Sequence, residues 1–212
     1  MHWQVKDVKP KKALQGISAR QIDEHFDVLY KGYVNKLNEI EGKLPTVNIG
    51  EANATYSPIR ELKKEEVFAA DASRLHEKYF ANLGGDGVPK GNIQSLIAED
   101  FGSFENWQNE FKAAGVAGRG WVILCFDWED NRLHNYMTDI HSEAVWDCAP
   151  LLIMDVYEHS YFIDYGTNRK AYIDAFMKNI NWDVVNHRID QYGIMPRRGR
   201  GGPSMPGRLF GS

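Results

Sequence analysis

Apolar residues recur at three- and four-residue steps through Ile22, Phe26, Leu29, Tyr33 and Leu37, a spacing that predicts an amphipathic helix. Ser18 stands where an N-cap belongs, with Gln21 three residues on as in a capping box. A polar stretch containing Pro45, Gly50 and Pro58 ends this helix, and a second helical segment is expected over residues 62–83, stopped by GGDG and Pro89. Two antiparallel helices joined by a loop are the simplest arrangement of these segments. From residue 92 the pattern is helical again, through SLIAEDFGSFENWQNEFKAAG.

Near Gly118 the period changes. Residues 121–128 and 133–137 are rich in β-forming side chains and flank the turn-like Glu129, Asp130 and Asn131, which predicts a hairpin. Pro150 precedes a short apolar strand, LLIMD, and the segments around DVYEHSYFIDYG and KAYIDAFMKNI are expected to be helical. The expected fold class is therefore α+β: an N-terminal antiparallel helical hairpin, then helices around a small three-stranded antiparallel sheet. The expected divisions are residues 1–88, residues 89–190, and a Gly/Pro/Arg-rich tail over residues 191–212.

Composition narrows the function classes. The chain has 212 residues, 26 of them aromatic, too many for a disordered protein. Its longest apolar runs, such as residues 121–126, are too short for a membrane helix. The lead MHWQVKDVKPKK has no apolar signal core, and the two cysteines, Cys125 and Cys148, form no disulfide framework. The expectation is a cytoplasmic protein without a membrane partner. The tail carries four arginines and no acid, which leaves residues 1–190 with 21 basic against 29 acidic side chains. An acidic body argues against a nucleic-acid partner. With six glycines and three prolines in its 22 residues, the tail is expected to be a solubilising extension.

Asp155 and His159 are four residues apart in D-V-Y-E-H, which on a helix or its first turn puts both on one face. His25 lies on the apolar stripe of the first helix and His76 lies between Leu75 and Tyr79 on the second. Each alone reads as a satisfied core residue or a local hydrogen bond; four together read as a ligand set. Three imidazoles and one carboxylate suit Fe, Mn or Zn better than Ca or Mg, and the lack of a nearby thiolate argues against a structural zinc site. A single carboxylate leaves residual positive charge, which favours a small anionic substrate.

The stretches H-x7-YVxxLN (His25 to Asn38), L-H-x3-F-x-N-L, EDFGSFENW, GRGW, DVYEHSYFIDYGTNRKAY and NINWDVV resemble the iron/manganese superoxide dismutase family over residues 17–189. The resemblance implies one Fe or Mn ion per chain, held by His25, His76, Asp155 and His159, and superoxide as substrate. It implies that Tyr33 lines the substrate channel and that Arg169 stands near the channel mouth. It implies that His141 is the hydrogen-bonding residue just outside the ligands, where manganese-type relatives carry a glutamine. Ala72 occupies the position of the corresponding glutamine of iron-type relatives. Phe80 and Tyr157 replace two family tryptophans, whereas Trp121 is retained. A homodimer or higher homo-oligomer is implied, with Glu158 reaching the partner's histidine and Leu29 approaching the partner's Phe162. The competing reading is a non-catalytic structural protein of the same fold, which retention of all four ligands disfavours.

Overall fold

The computed structural model describes residues 2–143 and 145–199. Ser18 caps the first helix, its hydroxyl accepting from Gln21 N at 3.1 Å. That helix is composite: α1 (Ala19–Asp23), a π-helical segment (Glu24–Tyr30) and α2 (Lys31–Lys43) run on without a break. π-type i→i+5 pairing inserts an extra residue, so the buried stripe does not keep the expected register. Tyr30 is fully buried and Leu29 only half-buried, the reverse of their expected roles in the stripe. α3 (Pro58–Ala81) begins four residues earlier than expected, with Pro58 at its first position. His25 meets His76 near one end of this pair, while Leu37 and Ile40 pack on Ala69 and Ala70 at the other. The two helices therefore run antiparallel.

The single helical stretch expected after residue 92 is two helices, α4 (Asn92–Phe101) and α5 (Phe104–Ala117). Gly102 ends the first at φ +80°, a conformation glycine adopts without a Cβ clash, and Ser103 caps the second. The hairpin is β1 (Trp121–Asp127) and β2 (Arg132–Thr138), and β3 (Cys148–Asp155) pairs antiparallel on the other side of β1. β1 is central, which explains its unbroken apolar run: six consecutive residues are buried. Pro150 sits within β3 rather than before it, tolerated because β3 is an edge strand. A short 3-10 turn (Glu158–Ser160), α6 (Phe162–Tyr165), α7 (Arg169–Lys178) and α8 (Trp182–Gln191) follow.

The larger apolar core runs from Ile17 to Ile194, and the expected boundary at residue 88 falls in the loop between α3 and α4. The GGDG loop is bonded to the far half: Gly85 N donates to Asn179 O and Gly87 N to Ile180 O. A Cβ on Gly85 would stand 2.2 Å from the Ile180 carbonyl oxygen, so glycine is required for this approach. Part of the expected solubilising tail is folded instead. Residues 194–198 form α9 (Ile194–Arg198), with Ile194 fully buried. Arg198 pairs with the buried Asp100, and Arg197 donates to Asn131 Oδ1 and the Trp128 carbonyl. Buried partners far back in the chain, not local propensity, hold this segment. The rest of the expected tail, residues 200–212, lies outside the described residues.

Candidate metal centre

His25 comes from the π segment, His76 from α3, Asp155 from the last position of β3 and His159 from the 3-10 turn. The expected helical geometry for Asp155 and His159 is thus replaced by a strand end and a tight turn, which bring His159 Nε2 to 3.1 Å from Asp155 Oδ2. His25 Nε2 is 3.1 Å and His76 Nε2 3.5 Å from the same oxygen. One ligand atom from each of the four lies within 4.8 Å of the others, a group able to hold one metal ion. Both ring nitrogens of His25 and Nε2 of His76 are buried with no hydrogen-bond partner. Such atoms are costly in an interior unless something satisfies them, and a cation taking the two Nε2 lone pairs, both beside Asp155 Oδ2, satisfies one nitrogen of each ring. His76 Nδ1 donates to the Ala72 carbonyl at 2.7 Å, which leaves the Nε2 lone pair facing Asp155. Burial lowers the pKa of His25 and, with the charge of His25 nearby, lowers that of His76 well below the ordinary value. Burial alone would raise the Asp155 carboxyl, but His159 and His25 hold it below the usual carboxylate range. Lowered imidazole pKa values at His25 and His76 beside an ionised carboxylate are what a cation requires.

The ligands are held by residues that sequence reasoning missed. Gln21, expected to complete a capping box, instead donates from its side chain to the His159 carbonyl at 2.6 Å and accepts from Ile163 N. Asn82 spans α3 and β3, exchanging two hydrogen bonds with the Ile153 backbone. Tyr172 donates to the Asp155 carbonyl at 2.8 Å and lies 3.1 Å from the Tyr79 hydroxyl. A buried Asn beside a motif, or a Tyr on a predicted helix, gives no sign in sequence of the backbone group it will meet.

His141 and Tyr33 meet beside this group. The Trp121 indole N–H donates to His141 Nδ1 at 2.9 Å. An indole can only donate, so Nδ1 is the acceptor and Nε2 carries the proton. His141 Nε2 then donates to the Tyr33 hydroxyl at 3.2 Å. Burial pushes the His141 pKa down to about 4, which keeps the ring neutral. Burial and the Asp155 charge raise the Tyr33 phenol above its ordinary value. Tyr157 stacks on His159 and lies 4.7 Å, ring to ring, from His141.

Arg169 is not brought to this pair. Its guanidinium donates to the Tyr161 hydroxyl at 3.0 Å and to the carbonyls of Val116 and Gly118, with no acidic partner among the described residues. Tyr161 in turn stacks on Tyr172. Glu158 is exposed, and its carboxylate bonds to nothing among the described residues, next to the half-buried His159.

Residues 89–188 match the family described as iron/manganese superoxide dismutases, C-terminal domain. An iron superoxide dismutase of Aquifex aeolicus is 46% identical over 194 residues, covering 89% of this chain and 91% of that protein. The chain belongs to the iron/manganese superoxide dismutase family. Two further family members show its breadth. An iron superoxide dismutase of Cupriavidus metallidurans is 41% identical over 83% of this chain and 90% of its own length. A manganese superoxide dismutase of Halobacterium salinarum is 36% identical over 82% and 88% respectively. Both metal types thus occur among superoxide dismutases similar to this chain.

Proposed function

We propose that the protein is a superoxide dismutase that uses one Fe or Mn ion held by His25, His76, Asp155 and His159. The observation that carries this reading is the convergence of four ligand atoms within 4.8 Å, beside a hydrogen-bonded Tyr33–His141 pair. Held by these four residues, an Fe or Mn ion would supply one-electron redox chemistry towards superoxide, whose products are dioxygen and hydrogen peroxide. The residues supply what surrounds that exchange. Trp121 fixes the ring of His141, and His141 donates to the Tyr33 oxygen, so the Tyr33 proton is free to point at an arriving anion. Its raised pKa keeps Tyr33 a donor at neutral pH. Phe80 and Tyr79 pack against His25, and Trp121 packs edge-on against His76, keeping the rings stiff and water out.

Superoxide must approach a chain of net charge −4. Arg169, with backbone and phenol partners but no acid to neutralise it among the described residues, supplies local positive charge against that net charge. The chain works as a homodimer. Glu158 accepts from the His159 of a partner subunit, and Leu29 packs on the partner's Phe162. Support comes from the exposure of Glu158, Val28, Phe162 and Ile163, which gives this face an apolar surface beside a ligand. Free thiols at Cys125 and Cys148 support a reducing, cytoplasmic setting, and no helix among the described residues is long and apolar enough to cross a membrane. A non-catalytic role has no observation in its favour.

Metal analysis of Asp155→Ala tests the reading. Loss of the only anionic ligand should abolish stoichiometric Fe or Mn while the wild type holds about one ion per chain. Full metal content and activity in Asp155→Ala would overturn the assignment. For assembly, Glu158→Ala should shift light scattering towards monomer; a wild type that is monomeric at micromolar concentration and fully active would refute the dimer.

A further inference from the structure

His141 also borders a cavity. It has a volume of about 210 Å³ between α3 and the sheet, and its lining includes Leu75, Tyr136, Thr138, His141 and both cysteines. Thr138 Oγ1 is buried there with no hydrogen-bond partner, which marks a place for a small hydrogen-bonding guest. The cysteines are neighbours by strand register. Cys148 pairs with Asp127, two residues along β1 from Cys125, so both side chains project from the same face of the sheet. The ladder slips between Leu124 and Cys125, and a bulge there sharpens the local twist. The thiols differ in access: Cys125 is buried and Cys148 half-buried. A hydrogen bond from Cys125 holds the Cys148 thiol below its ordinary value, and the same contact, with burial, pushes Cys125 up. Asp127 and Asp147 press the other way on Cys148, which also donates to the Val145 carbonyl.

We propose that Cys148 and Cys125 form a dithiol that hydrogen peroxide, admitted to this cavity, oxidises to a disulfide. The Cys148 thiolate attacks one peroxide oxygen, the O–O bond breaks, and the departing hydroxide takes up a proton as water. Cys148 is then a sulfenic acid, its sulfur oxidised by two electrons and the peroxide reduced by two. Cys125 loses its proton and attacks that sulfur; the S–S bond forms, the S–O bond breaks, and a second water leaves. In sum, two thiols and one peroxide give a disulfide and two waters. His141 borders both this cavity and Tyr33, so peroxide made at the metal would arise next to the dithiol; this origin, unlike the thiol chemistry, rests on the function proposed above.

The test exposes metal-loaded protein to reagent hydrogen peroxide and follows intact mass and peptide maps without reductant. The expected result is loss of two hydrogens, a Cys125–Cys148 crosslink, and reversal by dithiothreitol. In Cys125→Ser, or Cys125→Ala if the first misfolds, dimedone should label Cys148; in Cys148→Ser it should leave Cys125 unlabelled. Two titratable thiols after the peroxide is consumed, a sulfinic acid on Cys148 with Cys125 still free, or labelling of Cys125 first would each overturn the dithiol. A crosslink with reagent peroxide but none under enzymatically generated superoxide would sustain the dithiol and refute its supply from the metal centre.

Discussion

Replacing Trp121 with Phe removes the N–H that fixes the His141 ring and keeps most of the aromatic bulk. Trp121 is fully buried and His141 nearly so, so no water replaces the lost donor. An unsatisfied buried acceptor at Nδ1 costs about 1–3 kcal/mol. The smaller ring leaves a void worth roughly 1–2 kcal/mol, a fraction of the 3–5 typical when Trp or Phe is cut to Ala. Urea unfolding should therefore show a loss of about 2–5 kcal/mol. Turnover should fall as well. With the hydrogen bond to Nδ1 gone, the tautomer that donates to Tyr33 loses roughly 1–1.5 kcal/mol of its advantage, up to about tenfold in population. The decisive measurement is a double-mutant cycle with His141→Ala, which removes the stranded acceptor. In that background Trp121→Phe should cost only the packing part, a coupling of about 1–3 kcal/mol. Additivity within about 0.5 kcal/mol would mean that the indole packs against His141 without orienting it.

Further outcomes follow from the same contacts. Because burial lowers the His141 pKa to about 4 from an unfolded value near ~6.5, the unfolded chain binds a proton between those pH values that the folded chain does not. Stability should fall as pH drops through that window, and His141→Gln should flatten that part of a Tm-against-pH curve; an unchanged slope would remove His141 as its source. Asp100→Ala should cost about 3–5 kcal/mol in urea unfolding, because it removes the buried carboxylate shared by Arg132, Arg198 and the Leu133 N–H; a loss below about 1 kcal/mol would refute the anchoring role given to α9. Tyr33→Phe should keep full metal content while changing turnover, measured by metal analysis beside superoxide decay; equal loss of both would make Tyr33 a structural residue.

How far the sequence carried depends on how local each cause is. The helix start at Ser18, the hairpin at residues 121–138 and the candidate ligands are legible because caps, turns and motif spacing act over a few residues. Other features are set by distant partners. Gln21 reads as a capping residue, yet its amide holds the turn that carries His159, 138 residues away. The four-residue gap between Asp155 and His159 fits a helix, but Asp155 closes a strand whose ladder with β1 fixes it first. The π segment exchanges Leu29 for Tyr30 in the core, where the Tyr30 hydroxyl donates to Glu77 and accepts from Lys6 N. No spacing rule marks that exchange. The arginines of α9 read as part of a solubilising tail because Asp100, which pins Arg198, lies 98 residues earlier.

The central claim, that the four-ligand group supports superoxide dismutation by Fe or Mn, is tested most directly by stopped-flow decay of superoxide. Protein loaded separately with Fe and with Mn, each at measured stoichiometry, is compared with metal-free protein and with equal free metal. Catalytic decay, first order in protein, is expected for at least one loaded form and none above background for the metal-free chain. Stoichiometric loading with both metals and no decay beyond that of the free ions would contradict it.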